Sequence, residues 1–183
     1  MLFMIVFYRD LYVLIGREAM TETELKPDTI ILGERNYEAA LELIIARAVD
    51  ELLIFDQDFT RGDFASIKRF YLFQHFLSAK PLSKLTIILQ DVRHFVQNCP
   101  RLFELLKLYG HKIAVYETND NAKVAKDCFV IADKQHYLRR FHIDQARFKF
   151  AFDDLEECAN LQTRFSELLD ETTEAISVTK LGL

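Results

Sequence analysis

The chain has 183 residues, half of them hydrophobic and 16 of them phenylalanine. Its length therefore fits one domain, with a core large enough to need no disulfide or metal support. The net charge of -5 excludes a global basic field of the kind that draws in nucleic acid. The three cysteines include no Cys-x-x-Cys pair, which argues against a disulfide framework or a zinc site and fits a reducing compartment.

The first sixteen residues are strongly apolar, although Arg9 and Asp10 interrupt them. The run is too short to span a bilayer, which takes about 20 apolar residues. It also lacks the basic leader and small-residue cleavage site of a signal peptide. Residues 1–27 form an N-terminal segment. One interpretation is that translation begins at Met20, where a polar stretch typical of the start of a soluble protein follows, and that residues 1–19 reflect an upstream start. The other is a short edge strand or a membrane-touching helix, and both stay open.

From residue 28 to 172 the sequence alternates between helical and strand patterns. Asn36 is a predicted N-cap for an amphipathic helix that continues to Ala48. Buried strands are predicted at 52–55, 85–89 and 112–116, and helical segments at 64–79 and 92–109. Pro81 ends the first of these two segments, Pro100 suits a first helical turn, and Gly110 suits the position just past a helix end.

The second part of the chain predicts a strand and hairpin from Lys126 to about Arg140, an aromatic strand at 148–152 and a last helix from Asp153 or Asp154. Residues 173–183 form a tail without a clear pattern. The alternation of helices with strands predicts an α/β fold, because parallel neighbours need helical crossovers, and the late hairpin adds antiparallel strands. We therefore expect one domain at 28–172 with a mixed, largely parallel sheet flanked by helices.

The stretch from Lys126 to Asp133 resembles the signature strand of the phospholipase D superfamily, whose motif is His-x-Lys-x-x-x-x-Asp. In this alignment Lys126 stands at the histidine position, Cys128 stands at the lysine position, and only Asp133 matches. In that superfamily the histidine attacks phosphorus and the lysine stabilises the phosphate oxygens. A protonated lysine is a poor nucleophile, and Cys128 lies in an apolar run, where burial makes a thiol inert. The resemblance therefore implies the fold without its usual chemistry.

The order of elements resembles one half of a phospholipase D-like enzyme over about 140 residues. A closer resemblance is to an uncharacterised bacterial domain that often follows an acetyltransferase domain; the stretches that carry it are 32–36, 53–58, 129–133, 137–140 and 150–168. This resemblance implies a cytoplasmic location and leaves a separately encoded acetyltransferase as a partner. Active members pair two motif-bearing halves, so a single half implies a homodimer. No membrane span, cofactor or metal is expected, and nucleic acid is not an expected partner.

Two groups of polar residues follow predicted strands at the edge where ligands bind in open α/β sheets. Asp56 and Asp58 follow the first strand, and Arg93 and His94, with Asp91 beside them, follow the second. A carboxylate and an imidazole at this edge suit a metal or general-base site. The alternative is that they cap the helices that come next.

The hairpin adds two arginines to the candidates. On a regular strand Arg139 and Arg140 face opposite ways, so they cannot form the convergent clamp that a phosphate prefers. A solvated edge with one ion pair is the expected outcome, and the phenylalanines at 148–152 are expected in the core. The full set of candidate ligand-binding residues is Asp56, Asp58, Arg93, His94, Lys126, Asp133, Arg139 and Arg140.

The sequence leaves two classes of function. The favoured one is a non-catalytic phospholipase D-like module of unknown ligand that acts in binding or assembly. The alternative is a phosphodiesterase or nuclease with a substituted active site, built on Asp133, His94 and Arg140. The enzyme hypothesis requires an imidazole or activated thiol, a cation and an acid in one cleft, whereas the binding hypothesis predicts scattered charges at the edge of the sheet.

Overall fold

The computed structural model describes residues 25–173 and 175–176. The predictions for residues 1–24, whether an upstream start, an edge strand or a membrane-touching helix, lie outside the described residues. Within the described part of the chain, no helix is long and apolar enough to cross a membrane.

The described residues contain seven strands, five α-helices and one 3-10 turn. The strands are β1 (Ile31–Leu32), β2 (Glu51–Asp56), β3 (Lys84–Leu89), β4 (Ile113–Glu117), β5 (Cys128–Ala132), β6 (His136–His142) and β7 (Gln145–Ala151). The helices are α1 (Glu34–Arg47), α2 (Ile67–Ala79), α3 (Arg93–Asn98), α4 (Pro100–Leu108) and α5 (Leu155–Asp170), with the 3-10 turn at Ala122–Val124.

All seven strands form one sheet in the order β1-β7-β6-β5-β2-β3-β4. The predicted mixed α/β sheet is confirmed, with helices on both faces. Its parallel part is smaller than predicted, because only the β2–β3 and β3–β4 pairs are parallel and the other four pairs are antiparallel. The reason is that β5, β6 and β7 follow one another through short turns, and such turns join antiparallel neighbours.

Each face of the sheet has its own apolar core. Helices α1 to α4 cover one face with residues such as Ile44, Phe73 and Leu102, which pack on the sheet residues Ile54 and Ile87 among others. Helix α5 covers the other face, where its residues Cys158, Leu161, Phe165 and Leu168 lie against Phe55, Phe129 and Ile131. The result is a three-layer sandwich, in which both faces of the central strands are buried.

The helix boundaries follow local chemistry, with one correction. Asp154 is the N-cap of α5, as expected, since its carboxylate accepts a hydrogen bond from the Glu157 N–H at 3.0 Å. Asn36 is not an N-cap. Helix α1 begins at Glu34, two residues before Asn36, and its N-cap is Gly33. Gly33 has φ of 102°, a left-handed value that glycine adopts at little cost, and this allows the early start.

Candidate functional site

The strand that carries the motif-like residues, β5, has its two ends in different environments. Because β5 runs antiparallel to β2, Phe129 lies opposite Phe55 and Ala132 lies opposite Leu52. Cys128 therefore lies beside the carboxyl end of β2, whereas Asp133 lies beside its amino end. Five residue steps separate Cys128 from Asp133, which corresponds to roughly 17 Å at about 3.4 Å per residue. Asp133 is consequently remote from Lys126 and Cys128.

The side chain of Asp133 connects the turn after β5 to the residues that lead into β2. Its carboxylate accepts hydrogen bonds from three consecutive backbone N–H groups, those of Val49, Asp50 and Glu51, each at 2.8 Å. Asp133 has φ of 54°, a left-handed value that aspartate tolerates, and it opens the turn between β5 and β6. The carboxylate thus joins this turn to the start of β2.

Cys128 lies in a tightly packed cluster at the carboxyl end of β2. The cluster consists of Tyr37, Asp56, Cys128 and Arg140, all of them buried. The cavity between them measures about 10 Å³, which is at most the space of one water molecule. Burial raises the pKa of the Cys128 thiol well above its ordinary value, and the neighbouring Asp56 carboxylate raises it further. Cys128 is therefore an inert thiol at neutral pH, as predicted for a cysteine in an apolar run.

Asp56 serves this cluster and the loop that follows β2. Its carboxylate accepts hydrogen bonds from the N–H groups of Asp58 at 3.2 Å and Phe59 at 3.0 Å. Burial raises the pKa of Asp56, although these two backbone bonds act in the opposite direction. Asp56 thus fixes a loop conformation. It does not cap the helix that comes next, as the sequence left open, because the N-cap of α2 is Ser66.

The guanidinium group of Arg140 is fully engaged within the protein. Its Nη1 and Nη2 atoms donate to the two carboxylate oxygens of Glu34, each at 2.7 Å, and Nη2 also donates to the carbonyl oxygen of Ile143 at 2.9 Å. The hydrogen bond from Arg140 lowers the pKa of Glu34, against the effect of burial. Glu34 therefore occupies the position on Arg140 that a phosphate group would need.

The side chain of Lys126 is exposed. Its carbonyl oxygen accepts a hydrogen bond from the Ile143 N–H at 2.7 Å. Among the described residues, its ammonium group has no hydrogen-bond or ion-pair partner. Lys126 is thus the candidate that remains available to an anion from outside.

Arg139 lies on the opposite face of the sheet from Arg140, as the alternation along the strand predicted. It donates to Glu157 at 3.1 Å and to Asp127 at 3.4 Å. Asp127 is buried and also accepts a hydrogen bond from Arg164 of α5 at 2.6 Å. Arg139 therefore belongs to a charge network that fastens α5 to the sheet and is separate from the Cys128 cluster.

The remaining candidates meet in one shallow cleft of about 300 Å³, which we call the rim cleft. Its lining residues are Asp58, Asp91, Arg93, His94, Gln97 and Asn98. The structure thus brings Asp58, Arg93 and His94 together at the ends of β2 and β3, as the sequence predicted for this edge.

Most polar side chains of the rim cleft already have partners within the protein. Asp91 binds the side chain of Arg93, and this hydrogen bond lowers the pKa of Asp91 to about 2. Asp91 also accepts from the Arg93 N–H at 2.9 Å, while Nδ1 of His94 lies 3.2 Å from Nδ2 of Asn98. Asp91 is therefore held by an arginine, whereas the carboxylate of Asp58 accepts hydrogen bonds from Thr60. The contact of the His94 imidazole within the described residues is with Asn98 and not with a carboxylate. No group of three or more His, Cys, Asp or Glu side chains within the described ranges could hold a metal ion.

Glu34 and Tyr37 were not predicted as site residues. Glu34 reaches Arg140 across 106 positions of the chain, and a contact of that separation leaves no local pattern. Asp127 could have been predicted from the sequence as the member of an ion pair. It is an acid next to the apolar strand Cys128–Ala132, and a buried charge requires a partner.

Residues 33–181 match the family model described as "Domain of unknown function (DUF7931)". The chain belongs to this family. No curated protein matches it.

Several solved structures resemble the fold of this family member. They include the archaeal chromatin protein TrmBL2 (TM-score 0.61, 13% identity, 90% of this chain and 60% of that chain). Nuc from Salmonella typhimurium, a phospholipase D family member, has a TM-score of 0.58 at 9% identity and covers 81% of this chain and 98% of that chain. Phosphatidylserine synthase from Haemophilus influenzae has a TM-score of 0.56 at 11% identity, with 80% of this chain and 39% of that chain covered.

These likenesses show a phospholipase D-like fold. The chain spans nearly the whole length of Nuc, but only 60% of the archaeal protein and 39% of the synthase. At identities this low the resemblance extends to the fold alone, and the chemistry has to be argued from the residues present.

Proposed function

We propose that this protein is a non-catalytic phospholipase D-like module that acts in binding or assembly. The observation that carries the proposal is the closed state of the Cys128 cluster. The lysine position of the motif holds a buried thiol, Arg140 is paired with Glu34, and the cavity of about 10 Å³ excludes a phosphate group. An enzyme of this fold requires a nucleophile and cations that meet an open cleft.

The positions of the other candidates support the same conclusion. The alternative hypothesis combined Asp133, His94 and Arg140 in one active site. Asp133 lies at the opposite end of β5, His94 lines the rim cleft, and Arg140 is buried against Glu34. Asp133, His94 and Arg140 therefore lie in three separate environments. The rim cleft brings His94 together with Arg93 and two acids, but the guanidinium group of Arg93 is bound to Asp91 there.

The second candidate function remains a phosphodiesterase or nuclease with a substituted active site. It is favoured by the likeness to Nuc, whose whole length is nearly covered, and by the exposed Lys126 at the histidine position. A nucleophile for this function would have to come from the rim cleft, where His94 is the available imidazole.

An assay with bis(4-nitrophenyl) phosphate, with and without divalent cations, separates the two functions. We expect no turnover above that of a matched preparation of the Lys126→Ala or His94→Ala variant. Turnover that either variant abolishes, and that the distant variant Ala159→Glu on α5 retains, would overturn the non-catalytic proposal. Circular dichroism of each variant verifies that the fold is preserved.

Assembly is proposed as a homodimer, on the analogy of the paired halves of active phospholipase D-like proteins. Sedimentation equilibrium is expected to give twice the 21.5 kDa mass of one chain. A monomer across the micromolar range would remove this part of the proposal without touching the non-catalytic part. A cytoplasmic location and a separately encoded acetyltransferase partner belong to the same proposal, and an acetyltransferase gene beside this one would support the partner.

Nucleic acid is not part of the proposal. TrmBL2 is a DNA-binding chromatin protein, but this chain has a net charge of -5 and its two hairpin arginines are paired with carboxylates. Affinity for DNA rests mainly on cations that neutralise phosphates. A fluorescence anisotropy titration with labelled duplex DNA at 50 mM salt is expected to show no binding at micromolar protein.

A further inference from the structure

A concave apolar groove of about 510 Å³ lies in the helical layer, away from the Cys128 cluster and the rim cleft. One wall is the C-terminal turn of α1, with Ile45, Ala46 and Ala48, and the other is α2, with Tyr71 and Phe76. Tyr71 at the border of the groove is 58% exposed. An open apolar groove of this size favours an apolar occupant, because binding removes the apolar surface of the groove from water.

The described fold begins near the C-terminal end of α1. Leu25 packs on the same core cluster as Ala48, which lines the groove. The Asp28 N–H donates to the carbonyl oxygen of Phe150 at 2.9 Å, and Arg47 of α1 stacks over the next aromatic ring, that of Phe152, at 3.8 Å. These contacts place the entry of the chain at the C-terminal end of α1, so the last turn of that helix separates the entry from the groove.

The sequence before Leu25 is rich in the apolar residues that such a groove would bind. Thirteen of the first sixteen residues are hydrophobic. Residues 17–24 are mostly polar in sequence, and any eight residues span at most about 26 Å, whereas the diameter of a helix such as α1 is about 10 Å. The apolar run can therefore reach the groove with length to spare.

We propose that residues 2–15 of this chain bind the groove between α1 and α2. A tethered segment is present at its groove at an effective concentration in the millimolar range. It therefore has an advantage over a separate partner of the same apolar chemistry at cellular concentrations. The N-terminal segment is then an integral cover of the helical layer.

A thermodynamic cycle that combines an N-terminal truncation with a substitution in the groove tests the proposal. The truncated form starts at Met20, because this form retains every described residue. We expect removal of residues 1–19 to lower the Tm by roughly 5 °C or more, because the apolar surface of the groove is uncovered. In the background of Ala46→Glu, which places a charge on the exposed wall of the groove, the same removal is expected to change the Tm by less than about 1 °C. The matched control is Ala159→Glu, an exposed alanine on α5 at the other face of the sheet, where the full effect of the truncation is expected.

A photo-crosslinking amino acid at position 46 identifies the occupant directly by mass spectrometry. A crosslink to residues 2–15 within one chain, together with the cycle above, supports the proposal. A crosslink only to a second copy would overturn it and assign the groove to assembly. Binding of the full chain to phosphatidylcholine vesicles without any effect of the truncation on the Tm would also overturn it, and would assign residues 2–15 to a membrane surface.

Discussion

Replacement of Asp133, the one residue that matches the motif, distinguishes a structural role from a catalytic one. Its carboxylate accepts three backbone hydrogen bonds at 2.8 Å from the residues that lead into β2. Each such bond contributes about 0.5–1.5 kcal/mol, and the partly solvated site reduces the sum, so we expect Asp133→Gly to lower the free energy of unfolding by about 2–3 kcal/mol. Glycine is the substitution of choice because it accepts the φ of 54° without strain.

Urea unfolding followed by circular dichroism measures this effect, with a midpoint shift of about 1 M expected for a chain of this size. Asp133→Ala should destabilise by about 1 kcal/mol more than Asp133→Gly, since alanine is strained in the left-handed region. The control is Asp144→Ala, whose carboxylate has only ion pairs of 3.7 Å and 3.8 Å, and which should stay within about 0.5 kcal/mol of the parent. A change below about 0.5 kcal/mol for Asp133→Gly would refute the structural role.

Three further predictions concern the titratable groups. All three cysteines are buried with raised pKa values, so iodoacetamide at pH 7.5 should label none of them in the native protein and all of them in urea; the residues are Cys99, Cys128 and Cys158. An NMR titration of the Asp91 carboxyl should give a pKa of about 2, and Arg93→Gln should return it towards the ordinary range. Glu34→Gln should destabilise the protein at pH 7 by about 1–2 kcal/mol, because it weakens the pairing of the buried Arg140 while Glu34 itself is partly solvated. Because the pKa of Glu34 is lowered, its contribution is complete above the ordinary value of 4.5 and is lost as the pH falls through the lowered pKa, so the difference in urea unfolding should be smaller at pH 3.

The elements of the fold were largely predictable because their signals are local. The apolar run at 129–132 and the alternation of Arg139 with Arg140 predicted a buried strand and two arginines on opposite faces, and both predictions are confirmed. The start of α1 was wrong, since a glycine with positive φ set the boundary before the better N-cap residue, Asn36. The share of parallel strands was overestimated, because strand patterns carry no information about which strands become neighbours.

The candidate site was predictable only in part. Asp58, Arg93 and His94 were expected at one edge, and they do meet in the rim cleft. The partner of Asp91 was not predictable. Asp91 binds Arg93 and not His94, and this outcome depends on the directions in which the side chains point after the strand ends.

By itself, the sequence determined which residues stand in the stretch that resembles the phospholipase D motif, namely Lys126, Cys128 and Asp133. Only the tertiary structure decided the surroundings of these residues. It buried Cys128 beside Asp56, paired Arg140 with Glu34 across 106 positions, and placed Asp133 at the far end of β5 as an acceptor for backbone N–H groups. The physical reason is that residue identity fixes which reactive groups exist, whereas burial and long-range pairing fix their charge, their access and their distance from one another.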